Sequence, residues 1–124
     1  NEYLAKLFQN HSDYRPLIEE THHVHKIDKP SGTAITLAEG ILDNSNLKKW
    51  ILDRADEGEL EIKSIREAEI PGTHAIHYRS GIDAITIKHE AFSREGFSLG
   101  AVLAAEWIVG KKGIFKMEDV LNIK

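Results

Sequence analysis

Cysteine is absent from this 124-residue chain, proline occurs three times, methionine once, and the aromatic share is 7%. Without cysteine there is no disulfide framework, no thiol nucleophile and no Cys-ligated zinc or iron–sulfur site. No apolar run approaches the roughly 20 residues needed to cross a bilayer as a helix, and the amino end, Asn1-Glu2-Tyr3, has no signal-peptide character. Positive charge is in deficit: 16 Lys and Arg against 20 Asp and Glu, net -4, with no basic tract. Neither nucleic acid nor a membrane surface finds an electrostatic footprint here. What is present, 41% hydrophobic and 29% charged residues, is the balance of a soluble folded domain, and a cytoplasmic setting is the expectation. Histidine is in surplus, with seven.

Periodicity lays out the elements. Leu4, Leu7, Phe8 and His11 share one helical stripe over residues 2–11. The chain enters that helix almost at once, which suggests a piece of something longer. Leu17–Thr21 reads as a short strand. Pro30-Ser31-Gly32-Thr33 opens a helix that carries Ala34, Leu37, Ala38, Ile41 and Leu42 at helical spacing. Leu47–Asp53 reads as a further helical turn. After Gly58 the period becomes two: Leu60/Ile62, Ile76/Tyr78 and Ile85/Ile87/His89/Ala91 give three strands. Phe97, Ala101, Ala104, Ala105 and Ile108 form another helical stripe, closed by Gly110–Gly113. The expected fold is α+β: a mixed or antiparallel open sheet of about four strands with helices on one face.

Chemistry concentrates between Glu20 and Thr33. Ser31-Gly32-Thr33 at a helix start offers unpaired backbone N–H groups and the positive end of the helix dipole, a seat for a carboxylate or phosphate. The same residues also suit a plain helix cap. Just before them His22, His23 and His25 crowd together with Lys26. Imidazole titrates near neutral pH and an ammonium group beside it is a second proton source, so the cluster can hold an anion and hand it a proton. The alternative is a set of solvated loop histidines. Metal ligation is a further alternative, but in an extended segment His22 and His23 point apart, and Glu20 falls opposite the side shared by His23 and His25. No metal site is predicted. His74 and His77 alternate, so at most one faces a shared site; His89 lies on the apolar face of its strand, and His11 ends a helix.

The run Glu20-Thr21-His22-His23-Val24-His25-Lys26-Ile27-Asp28-Lys29-Pro30-Ser31-Gly32-Thr33-Ala34 resembles the signature E-x-H-H-x-x-K-x-D-x-P-S-G-T-A of the dihydrodipicolinate (4-hydroxy-tetrahydrodipicolinate) reductases. The likeness continues through Ile70–His74, His89–Arg94, Gly100-Ala101 to Trp107, and Gly113–Leu121. It implies the carboxyl-terminal, substrate-binding half of a two-domain reductase, because the glycine-rich nucleotide fingerprint of a Rossmann domain does not occur in the chain. The resemblance further implies that residues about 1–12 and 97–124 belong to or pack on that nucleotide domain. The implied reaction is NAD(P)H-dependent reduction of a cyclic imine dicarboxylate in lysine and diaminopimelate biosynthesis, with hydride transfer followed by protonation of the adjacent carbon.

By position, the resemblance makes His22 the general acid/base, Lys26 the proton donor, and His23 with Ser31, Gly32 and Thr33 the substrate-binding set. Arg94 and Phe97 match positions near the NADH or NADPH cofactor. A homotetramer joined through the sheet is also implied. Two other readings remain open at this point: a non-catalytic dicarboxylate-binding or oligomerisation module, and a small His-rich metal-binding protein.

Overall fold

Alternation in three strands and a helical stripe in the segment that follows the first of them build one core. The computed structural model describes residues 1–123, which fall into two units, Asn1–Phe92 and a second that begins at Ser93. In the first unit, helix α1 (Glu2–Phe8) leads to strand β1 (Arg15–His22), helix α2 (Gly32–Leu42), and strands β2 (Trp50–Leu52), β3 (Leu60–Arg66), β4 (Gly72–Arg79) and β5 (Ala84–Ala91). The sheet order is β2-β3-β1-β4-β5. β1 and β3 run parallel, as do β2 and β3, while β4 pairs antiparallel with both β1 and β5. The sheet is therefore mixed, with helices on one face.

α2 forms because Ser31 caps it and small residues fit it against the sheet. The Ser31 hydroxyl accepts from the Ala34 N–H at 3.2 Å. Ala34, Ala38 and Ile41, one turn apart in succession, are fully buried against Ile18 of β1, Leu60 and Ile62 of β3, and Ile76 and Tyr78 of β4. Ala5 brings α1 into the same cluster, and the Asn1 amide donates to the Leu37 carbonyl at 2.7 Å. The positions of this cluster on the strands are all even-numbered, so one face of the sheet is packed, and small Ala75 of β4 is buried on the other. On the other face Glu19 and Lys63 of neighbouring strands pair at 3.3 Å and remain accessible to solvent.

Four expectations need correction. The sheet has five strands among the described residues, not about four. The segment 47–53, read as a helical turn, contains β2, which pairs Trp50 with Leu60 and Leu52 with Ile62. Three residues are too few to display a period of two, and the positive φ of Asp53 (49°) and Arg54 (59°) turns the chain immediately afterwards. The first helix stops at Phe8 rather than His11, and β1 extends through His22 rather than ending at Thr21. This last difference matters, because it puts His22 on the sheet.

The second unit holds α3 (Glu95–Trp107) and α4 (Met117–Val120). Trp107 meets Phe115 edge-on at 5.1 Å, and the Lys111 ammonium lies 4.4 Å from the Trp107 ring centroid.

Ile62 sits at the centre of the packed face with no exposed surface. Truncation by Ile62→Ala is expected to destabilise the first unit by about 2–5 kcal/mol, through lost burial plus a cavity the sheet cannot close. Urea titration followed by circular dichroism checks this; an unchanged midpoint would contradict the packing described.

Candidate active site

The even-numbered face turns from apolar to polar within one residue pair. Beyond Ile18 and Ile62 the next inward positions are Glu20 and His22 on β1, Ser64 and Arg66 on β3, and His74 on β4. Pairing brings them together: Glu20 stands opposite Ser64 on one side and His74 on the other, and His22 stands opposite Arg66. A set of residues spread over 55 positions of sequence thus becomes one cluster through strand register alone.

Glu20 is its centre and is wholly buried. Its Oε1 accepts from the Ser64 hydroxyl at 2.5 Å, from Arg66 Nη2 at 3.0 Å and from the Ser31 backbone N–H at 3.3 Å. Its Oε2 lies 2.6 Å from His22 Nδ1 and 3.9 Å from His74 Nε2. The His22 approach is close but off the line of a hydrogen bond, and neither atom of that pair has another partner. The charge on Glu20 and the imidazole edge are therefore held face to face. The His22 and His74 rings are 5.0 Å apart, edge to face, and His74 Nε2 shares a hydrogen bond of 3.1 Å with the Ser31 hydroxyl. Behind His22 stands Gly72, where a Cβ would come within 3.2 Å of His22 Nε2. The absent side chain makes room for the ring.

Burial works against charge on all three groups, and their neighbours decide the outcome. For Glu20 burial raises the carboxyl pKa, but donation from Ser64, Ser31 and Arg66 outweighs it, and the net shift is below the ordinary value. Burial lowers His22, the nearby Lys26 and Arg66 charges lower it further, and the pull of Glu20 does not compensate. Burial likewise lowers His74, with His22 adding to the effect. At neutral pH the site therefore holds an ionised carboxylate and two neutral imidazoles.

The segment between β1 and α2 supplies the rest. Lys26 is three-quarters covered and its ammonium pairs with Asp28 at 2.8 Å. His23 Nδ1 is buried without a partner, and the His23 ring lies 6.0 Å from that of His25. His25 itself points outward and meets Glu69 at 3.0 Å on the surface. At the start of α2, Ser31 is buried while Gly32 and Thr33 are exposed. As the first two residues of the helix, Gly32 and Thr33 have no intrahelical acceptor for their N–H groups. The cap and the anion seat are thus compatible: Ser31 caps, and the next two amides stay free.

The structure brings His22 and Ser31 onto one carboxylate, and Arg66, bound to the same carboxylate, also holds the loop bearing Lys26. Arg94 and Phe97 lie in the second unit, Arg94 at the N-cap of α3 and Phe97 one turn on, both exposed. The sequence reading missed Ser64 and Arg66 and gave His74 little weight; it set Glu20 opposite His23 and His25, and the structure has Glu20 and His22 together on the buried face of β1. A buried carboxylate in an apolar strand row was the available signal, since such a charge demands partners on the flanking strands. Glu20, His22 and His74 place one ligand atom each within 4.8 Å, a set that could hold a cation. The Arg66 guanidinium already stands beside that carboxylate as a positive charge.

Fold and site together place a helix start with free backbone N–H groups beside a buried carboxylate and two imidazoles. Residues 1–121 match the family model described as dihydrodipicolinate reductase, C-terminus, and the chain belongs to that family. It is 56% identical over 123 residues to the 4-hydroxy-tetrahydrodipicolinate reductase of Christiangramia forsetii, covering 98% of this chain and 52% of that one. Identity to the enzyme of the same name from Pelagibacter ubique is 40% over 133 residues, covering 99% and 47%. The chain thus spans about half the length of the curated relatives it matches. Among solved structures, a dipicolinate-bound dihydrodipicolinate reductase from Paenisporosarcina sp. TG-14 shares the fold with a TM-score of 0.68 at 22% identity, over 95% of this chain and 48% of the other.

The shifted groups fix how stability responds to acid. Unfolding lets His22 and His74 return to the ordinary value of 6.5, so the unfolded chain binds more protons just below neutrality and stability falls as pH drops through that range. Glu20, held below 4.5 when folded, adds a second loss at more acid pH. The melting temperature is expected to fall between pH 7 and pH 5 and again below pH 4.5, with the second step smaller in Glu20→Gln; Asp28, Glu59 and Asp83, also held low by their partners, supply the remainder. Melting curves across that range check this; a flat profile would contradict the neutral-imidazole assignment.

Proposed function

We propose that this chain is the substrate-binding half of an NAD(P)H-dependent 4-hydroxy-tetrahydrodipicolinate reductase of lysine and diaminopimelate biosynthesis. One observation carries the reading: the same buried carboxylate, Glu20, holds the Ser31 N–H at the mouth of an amide anion seat and the His22 imidazole. A dicarboxylate clasped by the Gly32 and Thr33 N–H groups would then lie against a proton-handling cluster. Family membership and the dipicolinate named in the solved relative support this choice of anion.

The residues divide the work as follows. Gly32 and Thr33 bind one substrate carboxylate through backbone N–H, Ser31 fixes the helix start, and His23 presents a buried, unpartnered imidazole nitrogen for a further polar contact. Lys26, an ammonium oriented by Asp28, donates the proton to the carbon beside the reduced centre. His22, kept neutral and held by Glu20, takes and returns protons as general acid/base. When bound, a reduced nicotinamide supplies the hydride. Arg94 and Phe97, an exposed cation and an exposed aromatic face, suit contacts to the edge of such a cofactor, and neither forms a phosphate cradle. Residues 97–124 and the first helix are assigned a part in contacting a nucleotide-binding domain, consistent with the exposed Leu99, Val102 and Leu103 of α3. A homotetramer joined through the sheet fits the uncovered sheet face and the edge position of β5. No described helix is long and apolar enough to cross a membrane, and the proposed setting is the cytoplasm.

In the full-length protein, His22→Ala and Lys26→Ala are each expected to lower kcat by roughly 10²–10⁴, the usual cost of losing general acid catalysis. Steady-state oxidation of NADH and NADPH with the dicarboxylate substrate reads this; near-normal turnover in both folded variants would overturn the proton assignment. Gly32→Pro tests the seat separately. Ser31 has φ -66° and ψ 155°, which suits a following proline, and proline is favoured at the first helical position, so the fold survives while one N–H is lost. Affinity for pyridine-2,6-dicarboxylate by titration calorimetry is expected to fall about tenfold or more, matching a charged hydrogen bond of about 1.5–3 kcal/mol. Unchanged affinity would place the anion elsewhere.

A further inference from the structure

Arg66 takes no part in the chemistry just described, yet its side chain is only 9% exposed and all its contacts are specific. Nη2 donates to Glu20 Oε1 at 3.0 Å and to the Asp28 carbonyl at 2.6 Å, Nε donates to the Lys26 carbonyl at 3.2 Å, and Nη1 donates to the Ile65 carbonyl at 2.7 Å. Two of these acceptors are backbone carbonyls of the segment between β1 and α2, and one belongs to Lys26 itself. Among the described residues, hydrogen bonds from other elements reach positions 24–30 in few places. The Val24 N–H donates to the Ala68 carbonyl, exposed His25 meets Glu69, and Arg66 donates at Lys26 and Asp28. The middle of the segment is therefore tied to the sheet by one guanidinium.

That tie has a rigid backing. Arg66 stands at the end of β3 directly across from His22 in the parallel pairing, and the carboxylate it grips is fixed by Ser64 and the Ser31 N–H. A planar fork can satisfy a carboxylate and two carbonyls together, which a flexible ammonium cannot do in one geometry. We propose that Arg66 is a positioning residue that braces the Lys26–Asp28 segment against Glu20 and so sets the reach of the Lys26 ammonium toward the carbon that receives the proton. The proposal rests on the reductase reading and deepens it by assigning the alignment of proton delivery to a residue on a different strand. Substrate anchoring at Gly32 and Thr33 depends on the Glu20–Ser31 contact instead, so the two functions have separate supports.

The experiment uses the full-length protein with Arg66→Lys, which keeps the charge beside Glu20 and loses the fork. Three quantities are read: KM for the dicarboxylate, the single-turnover rate constant, and the solvent deuterium isotope effect on that rate. A misplacement of about 1 Å can cost around 10²-fold in rate, so a 10- to 100-fold loss is expected. KM should change little and the isotope effect should rise, because proton delivery becomes slower. A purely structural role would lower the amplitude of the single turnover and leave its rate constant and isotope effect alone. Unchanged rate and isotope effect, or a loss confined to KM, would overturn the proposal. Arg66→Gln is read in the same way if Arg66→Lys does not fold, and failure of both to fold would make Arg66 a scaffold residue and overturn it as well. Absence of turnover in the unsubstituted protein would instead overturn the reductase reading itself.

Discussion

A carboxylate with no access to water governs the first unit. Burying an ion costs several kcal/mol even after relaxation, and the cost is met only where donors and opposite charge surround it. Glu20 collects those donors from two places, Ser64 and Arg66 on β3 and the Ser31 amide ahead of α2, and the imidazoles of β1 and β4 stand against its other oxygen. Each donor is thereby committed to a position. The strand ends, the helix start and the connecting segment are all fixed relative to one oxygen pair.

The electrostatic state of the site follows from the same arrangement. A fully exposed cluster of this composition would carry a mixture of protonated imidazoles and mobile counter-charges. Here desolvation keeps His22 and His74 neutral while hydrogen bonds keep Glu20 ionised, so one negative charge is matched by the guanidinium of Arg66. The Lys26 ammonium, paired with Asp28 nearer the surface, remains a separate positive charge. The Gly32 and Thr33 amides face donors and neutral rings rather than a carboxylate, because Glu20 is turned inward onto its own partners.

Much of this was readable in the residue string, and the failures have physical causes. The period-two runs at Leu60/Ile62 and Ile76/Tyr78 and the helical stripe from Ala34 to Ile41 correspond to the packed face, because burial imposes those periods. The His22–Thr33 constellation was legible for the same reason: a local run of histidines, a lysine and a helix start needs no tertiary information to be noticed. β2 escaped because a three-residue edge strand is defined by its pairing with β3, not by its own pattern. Arg66, Ser64 and His74 escaped because their importance exists only through register; nothing near Arg66 in the sequence marks it as a partner of Glu20. His25, which did stand out, points to the surface and pairs with Glu69.

The even-numbered row that runs from Ile18 to His22 has a corollary for assembly of the molecule. If β1 slipped by a single residue against its neighbours, Glu19 and Thr21 would turn inward, and Ile18, Glu20 and His22 would swap sides at once. An incorrectly zipped β1 would then lose the packing of Ile18 and the Glu20–His22 cluster together. Packing in effect proofreads chemistry: the only alignment that keeps water out of the middle is the one that delivers the histidines to their carboxylate.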